Sequence, residues 1–450
     1  MRRFLTRSSV LSWIALLALV SARGAEPKIA LVVATDRPDA IYAVGEKVGF
    51  VATLTEDGRP ACEGQVQYTL SLDGARTIAS GTASPSEGRA VIHGTLAEPG
   101  FLQCSVSWRA GSKPPQSALA AAGIDPLKIP PSSPAPDDFD EFWSREKAKL
   151  AAVPVEPVLT PAAWPDKSVE CFDVQVPCAG GMPVSGCFAR PRKAATKSLP
   201  AILYVHGAGV RSASLGAAAW AAKAGALAMD INAHGIPNGK SAAYYEDLSR
   251  TKLQGYTVRG RESRETCYFL GMFLRLVRAI DFLTSRPEWD GSTVCVSGAS
   301  QGGGQAIAAA GLDSRVTFIA TGVPAICDHS GGAIGRTSGW PRLVPGDKSG
   351  NPDPKILQAA RYFDCMNFAA RAKAEAIFSA GFIDVTCPAT SVYAAYNNYA
   401  GKKTMINKPL MGHAQPPDVA QAFDKALWEH IRRRKTAGRA ETAAPQVSPN

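Results

Sequence analysis

The chain has 450 residues, 46% hydrophobic and 20% charged, an ordinary balance for a globular protein large enough for two domains with separate cores. Its formal charge of +10 suggests a nucleic-acid partner until the charges are located: Arg2, Arg3, Arg7 and Arg23 crowd the beginning, while Arg432, Arg433, Arg434, Lys435 and Arg439 crowd the end. No basic stripe interleaved with aromatics lies between, so nucleic-acid binding is excluded, and ten scattered cysteines without a C-x-x-C pair exclude a disulfide scaffold and a structural zinc site.

In chain order, residues 1–25 carry a basic start, an apolar run from Val10 to Val20 and a small-residue end, the three sections of a secretory signal. Cleavage after Ala22, Gly24 or Ala25 fits equally well, and the expected product is secreted or periplasmic with no stable membrane anchor. Residues 26–124 read as short alternating strands, Ile29 to Ala34, Val48 to Leu54, Gln65 to Leu72, Arg89 to Leu96 and Phe101 to Trp108, broken by Asp73-Gly74 and Pro99-Gly100. That pattern predicts an all-β, immunoglobulin-like sandwich. In an exported protein Cys62 and Cys104 are candidates for a bridge between its sheets. Pro126, Pro130, Pro131, Pro134 and Pro136 mark residues 125–137 as an extended connector.

Acidic residues from Asp137 then open a helix, and strands alternate with helices to about residue 435. Strands are expected at Ala201 to Val205, Ala226 to Ile231, Thr293 to Ser297, Phe318 to Thr321, Ala376 to Ala380 and Lys403 to Asn407. Helices are expected at Phe269 to Ser285, Ala306 to Ala310 and Phe423 to Arg434. Strands separated by helices predict a mostly parallel sheet covered on both faces, an α/β-hydrolase fold over residues 138–435. Residues 436–450 read as a disordered polar tail.

The run Ser292-Thr-Val-Cys-Val-Ser-Gly-Ala-Ser-Gln-Gly-Gly-Gly304 carries the chemistry. A β-branched strand ends in G-x-S-x-G and a small-residue helix begins, the pattern of a nucleophile elbow at Ser300; a bare Gly-rich turn would lack both flanks. A serine hydroxyl needs a base, and in this fold the order is serine, acid, histidine. Of six histidines only His329 and His413 follow Ser300 outside the last helix, where His430 suits a surface role. His413, in Met411-Gly-His-Ala-Gln-Pro416, follows the last strand and is favoured by chain order. Among the intervening acids Asp313, Asp328, Asp347, Asp353, Asp364, Glu375 and Asp384, only Asp384 directly follows an apolar strand, where an orienting carboxylate belongs. The backbone N–H of Gln301 and that of Ala208, in the turn after strand Ala201 to Val205, are the expected oxyanion donors.

Four segments, Gly298-Ala-Ser-Gln-Gly-Gly303, Tyr362-Phe-Asp-Cys-Met-Asn-Phe-Ala-Ala-Arg-Ala-Lys373, Ile383-Asp-Val-Thr-Cys-Pro388 and Ala394-Ala-Tyr-Asn-Asn-Tyr399, resemble the acetyl xylan esterase and cephalosporin C deacetylase family, the seventh carbohydrate esterase family. The resemblance runs from about Pro136 to Arg433. It implies a serine esterase removing acetyl groups from carbohydrates such as acetylxylan, with Ser300, Asp384 and His413 as nucleophile, acid and base, Ala208 and Gln301 as oxyanion donors, and no metal or organic cofactor. Members are often oligomeric, so a homo-oligomer is a further expectation, one that an added domain would obstruct. The chain departs from the family at Asn232-Ala-His234 in place of Arg-Gly-Gln, at His206-Gly-Ala208 in place of His-Gly-Tyr, and at His413-Ala414 in place of His-Glu. His206, Asn232 and His234 are therefore candidate pocket residues, with His234 either contacting substrate or stabilising its loop. A serine peptidase of similar fold and a non-catalytic carbohydrate-binding protein are the alternatives.

Overall fold

The computed structural model describes residues 28–443 except Ser112. The expected signal segment lies outside the described residues. Nine strands come first, β1–β9, at Ile29–Thr35, Ile41–Tyr42, Val48–Glu56, Arg59–Pro60, Gln65–Leu72, Arg76–Ala83, Arg89–Gly94, Gly100–Arg109 and Gln116–Ile124. They form a four-stranded sheet, β1-β3-β4 with β7 on β3, and a five-stranded sheet in the order β2-β9-β8-β5-β6. Leu31, Val33, Phe50 and Ile92 of the first sheet share a core with Val66, Leu70, Leu102, Cys104 and Ala122 of the second. Alternation decides which side chains enter it, because successive strand residues point to opposite faces.

The expected bridge between Cys62 and Cys104 does not form: Cys62 sits exposed after β4, whereas Cys104 is buried between the sheets, and both are free thiols. The proline-rich connector is held along its length. Asn397 donates to the carbonyls of Pro126 and Ile129, and Arg336 and Arg361 donate to those of Pro130 and Pro134, fastening it along the larger body. Its prolines cannot donate from the backbone, so their carbonyls are satisfied by side chains from outside.

Helix α1 (Phe139–Ala151) follows, then strands β10–β18 at Val158–Ala162, Val169–Val176, Val184–Pro191, Leu199–Val205, Leu227–Ile231, Trp289–Ala299, Phe318–Gly322, Glu375–Gly381 and Lys403–Lys408. Helices α2–α9 span Leu215–Lys223, Ala242–Arg250, Tyr268–Thr284, Gln301–Leu312, Pro354–Ala360, Cys365–Ala369, Ala389–Asn398 and Pro417–Ala443. One nine-stranded sheet results, in the order β10-β11-β12-β14-β13-β15-β16-β17-β18, parallel from β14 onward and antiparallel before it. The three antiparallel strands were not legible as strands in advance.

The sheet is covered on both faces. Leu203, Val205, Val294 and Val296 pack with α4, α5 and α8, while Ile202, Cys295, Phe318 and Ile377 pack under α2 and α9. Strands buried on two faces read as continuous apolar runs, as β13 and β16 do. Two expectations about the last helix are corrected. Its backbone continues past residue 435 to Ala443, a stretch that includes the helix-favouring Ala437, Arg439, Ala440 and Glu441. His430 is buried rather than superficial, placed between Glu375 Oε2 at 3.1 Å and Thr317 Oγ1 at 3.0 Å, which ties α9 to the sheet. Among the described residues no helix is long and apolar enough to cross a membrane.

Candidate functional site

Parallel strands bring their carboxyl ends to one edge of the sheet, and the loops leaving those ends meet there. Four of these loops matter: after β13 (His206-Gly-Ala208), after β15 (Ser300), after β17 (Asp384) and after β18 (His413). Because β13, β15, β16, β17 and β18 are neighbours in that order, residues more than a hundred positions apart in sequence come within hydrogen-bond distance.

Ser300 has φ 58° and ψ −125°, a conformation that costs a non-glycine residue roughly 1–3 kcal/mol and marks a site where the surrounding structure imposes it. Its amide donates to Gly322 O at 2.8 Å, and its carbonyl accepts from Gly304 N at 3.1 Å and Ala325 N at 3.0 Å, so the strained residue is held on both sides. The flanking glycines are required by close approach. A Cβ at Gly298 would stand 2.5 Å from Val205 O, and one at Gly302 would stand 2.3 Å from the same oxygen.

The serine Oγ lies 2.8 Å from His413 Nε2, and His413 Nδ1 lies 2.7 Å from Asp384 Oδ2. Asp384 is fully buried, and its other oxygen accepts from the amides of Thr386 at 2.8 Å and Cys387 at 2.9 Å. It therefore caps its own turn with one oxygen and holds the imidazole with the other. His413 keeps part of its ring open to solvent, which leaves the serine end of the series accessible.

Gly207 runs beside the serine: a Cβ there would meet Ser300 Cβ at 3.4 Å, which brings the loop carrying Ala208 to Ser300. The amides of Ala208 and Gln301 have no acceptor among the described residues. Tyr256 braces this region from a turn preceding α4. Its hydroxyl donates to Gln301 Oε1 at 2.8 Å and accepts from Gly209 N at 3.3 Å. Sequence reasoning missed Tyr256 because a contact spanning 45 positions leaves no local signal beyond the tyrosine's place inside the family-like stretch.

The three candidate pocket residues spend their polar atoms on hydrogen bonds within the protein. Asn232 is fully buried; its amide group donates to Ile236 O and Asn238 Oδ1 while its oxygen accepts from the amides of His234 and Ile236. Nothing remains for a substrate. His206 Nε2 accepts from Ala233 N at 3.3 Å, so Nδ1 carries the proton and donates to Gly207 O at 2.6 Å. His234 donates from Nε2 to Gly209 O at 3.2 Å, and its Nδ1 accepts from Tyr268 Oη at 2.7 Å. Burial lowers both imidazoles to about 4, so both are neutral at ordinary pH. The loops after β13 and β14 are thus stitched together reciprocally, which is the loop-stabilising role for His234.

His329, passed over on chain order, is buried with neither ring nitrogen paired, and burial lowers it to about 3. Asp384, Cys387 and His413 are a set whose ligand-type atoms converge within 4.8 Å. Burial holds the Cys387 thiol well above its usual range, so it stays protonated, and the other two already bind one another. The set fits a proton-handling hydrogen-bond series better than a metal cage.

Comparison with known proteins places this geometry in a family. A curated relative, acetyl esterase Axe7A of Xylanibacter ruminicola, is 29% identical over 399 residues, covering 87% of this chain and 88% of its own. Two solved structures match the larger body. The acetyl xylan esterase from Paenibacillus sp. R4 is 27% identical with TM-score 0.58, covering 68% of this chain and 98% of that one. Acetyl xylan esterase 1 from Thermoanaerobacterium sp. JW/SL YS485, at 23% identity and TM-score 0.56, covers 67% and 98% and supports the fold. These likenesses do not favour the peptidase or non-catalytic alternatives. The acetyl xylan esterase (AXE1) family model matches residues 124–428, beginning where the last amino-terminal strand ends, and the chain therefore belongs to that family and is a carboxylic ester hydrolase.

Proposed function

We propose that the protein is an exported serine esterase that removes acetyl groups from acetylated oligo- or polysaccharides of the acetylxylan type. The observation that carries the reading is the unbroken hydrogen-bonded series from Ser300 Oγ through His413 to Asp384. In this reading Ser300 Oγ attacks the ester carbonyl and its proton passes to His413 Nε2. The amides of Ala208 and Gln301 receive the oxyanion, and the sugar hydroxyl leaves with the proton from His413. Water, deprotonated by the same nitrogen, then attacks the acetyl-enzyme, releasing acetate and restoring Ser300.

We assign residues 26–124 to an immunoglobulin-like sandwich, 125–137 to the connector, and the catalytic domain to the stretch from 138 onward. A leader at 1–25 would direct the chain to a secreted or periplasmic location. Support comes from the leader's composition and from the two sheets that share one core. The test is acetate release from acetylated xylo-oligosaccharides by the full chain and by Ser300→Ala. Release should fall to background in the variant, and retained turnover would reject Ser300 as nucleophile.

A further inference from the structure

We infer that the amino-terminal sheets position the acid of the triad, fastening both ends of the segment Phe382–Thr390 that carries Asp384. This rests on the reading of Asp384 as the residue that orients His413. Strand β8 is buried without alternation from Gly100 to Cys104, although its outer half alternates. The reason is that it has two covered faces there. Leu102 and Cys104 point into the core between the amino-terminal sheets, whereas Phe101 belongs to the core of the larger body.

On that second face, Phe101 packs edge-on against Phe382 at 4.8 Å between ring centres and lies tilted against Tyr393 of α8 at 5.5 Å. Gln103, two residues on and therefore on the same face, is buried and donates to Phe382 O at 3.4 Å. Phe382 itself is fully buried, two positions before Asp384. At the other end the β5–β6 hairpin tip reaches across. Asp73 and Gly74 turn with φ of 50° and 73°, which projects the buried Asp73 carboxylate onto Thr390 Oγ1 in the first turn of α8. Thr337 adds a hydrogen bond to Asp73 O at 3.4 Å.

The segment's other ties come from the larger body: Phe382 N donates to Lys408 O at the end of β18, Ile383 N to Met411 O, Trp340 N to Thr386 O, and Arg342 reaches Val385 O. Met411 belongs to the loop that carries His413, so a shift of Phe382 is transmitted to the acid and to the base together. The small body thus acts on the reaction without touching substrate: Phe101, Gln103 and Asp73 are positioning residues.

The test uses the full chain with 4-nitrophenyl acetate, whose small size removes any effect of polysaccharide binding by the amino-terminal sheets. Gln103→Met and Thr390→Val each remove one anchor at nearly constant volume, and Phe101→Leu removes the ring contact while keeping an apolar side chain. Expected is a fall in kcat of about tenfold for Phe101→Leu, with KM changed by less than about twofold, because a small misplacement of an oriented group costs rate rather than ground-state binding. In an Asp384→Asn background the same substitutions should cost nothing further, since the group they position is already disabled. An unchanged kcat in folded variants, or the same fractional loss in the Asp384→Asn background, would overturn the inference while leaving Ser300 as nucleophile untouched. Full activity of Asp384→Asn alone would overturn the triad reading and this inference with it.

Discussion

Replacing Asp384 by asparagine keeps size and shape but changes what faces His413, and the hydrogen bonds around the carboxylate decide how. Oδ1 accepts from Thr386 N at 2.8 Å and Cys387 N at 2.9 Å, while Oδ2 faces His413 Nδ1 at 2.7 Å. An asparagine must therefore keep its oxygen on the two amides. Flipping it would strand both donors, the buried Cys387 amide alone at about 1–3 kcal/mol. Its NH2 group then faces Nδ1, which can only accept, so the ring proton moves to Nε2 and points at Ser300 Oγ. The base is lost through the wrong tautomer although every heavy atom stays in place. Loss of the correct tautomer in such a series lowers kcat by about ten-thousandfold, which corresponds to roughly 5.5 kcal/mol of transition-state stabilisation. The assay is kcat on 4-nitrophenyl acetate beside thermal melting, with the melting curve expected to stay close to that of the parent. A loss of less than about tenfold in a folded variant would refute the assigned role.

Three other outcomes follow from the same geometry. Gly302→Ala should destabilise the protein by about 1–3 kcal/mol and cut turnover together, read by melting and kcat, because its Cβ would press on Val205 O at 2.3 Å, a backbone atom that cannot step aside. Tyr256→Phe should lower kcat by about tenfold with little change in KM, as the hydroxyl bracing Gln301 and Gly209 is lost and oriented donors drift. For His329 the sign is set by burial: the native ring stays neutral to about pH 3, whereas the unfolded ring takes a proton below its ordinary value of 6.5. Its contribution to stability is present above 6.5 and is lost as pH falls from there toward 3. His329→Leu should therefore shift the acid-unfolding midpoint to lower pH, and an unchanged or higher midpoint would contradict the assignment.

Sequence alone determined the features that depend on local pattern or on chain order. The elbow at Ser300 was legible because a sharp strand-to-helix turn tolerates almost no side chain at residues 298 and 302. Asp384 and His413 were nominated because few histidines and few strand-ending acids were available in the required order, and the interior parallel strands β13, β14, β16 and β17 were legible as apolar runs. Only the tertiary structure decided what depends on packing between distant segments. Asn232 and His234 look like pocket residues until their hydrogen bonds are traced, and buried polar groups must be satisfied by whichever neighbours the fold supplies. His430 looked superficial because the sequence does not reveal Glu375 and Thr317 across from it. The strands β10 and β11 escaped notice because mixed burial gives weak periodicity, and β12 because six successive buried residues leave no alternation to read. The role of Phe101 was equally hidden, since one strand's alternation shows that it has two faces but not that the second lies against Phe382, 281 positions away along the chain.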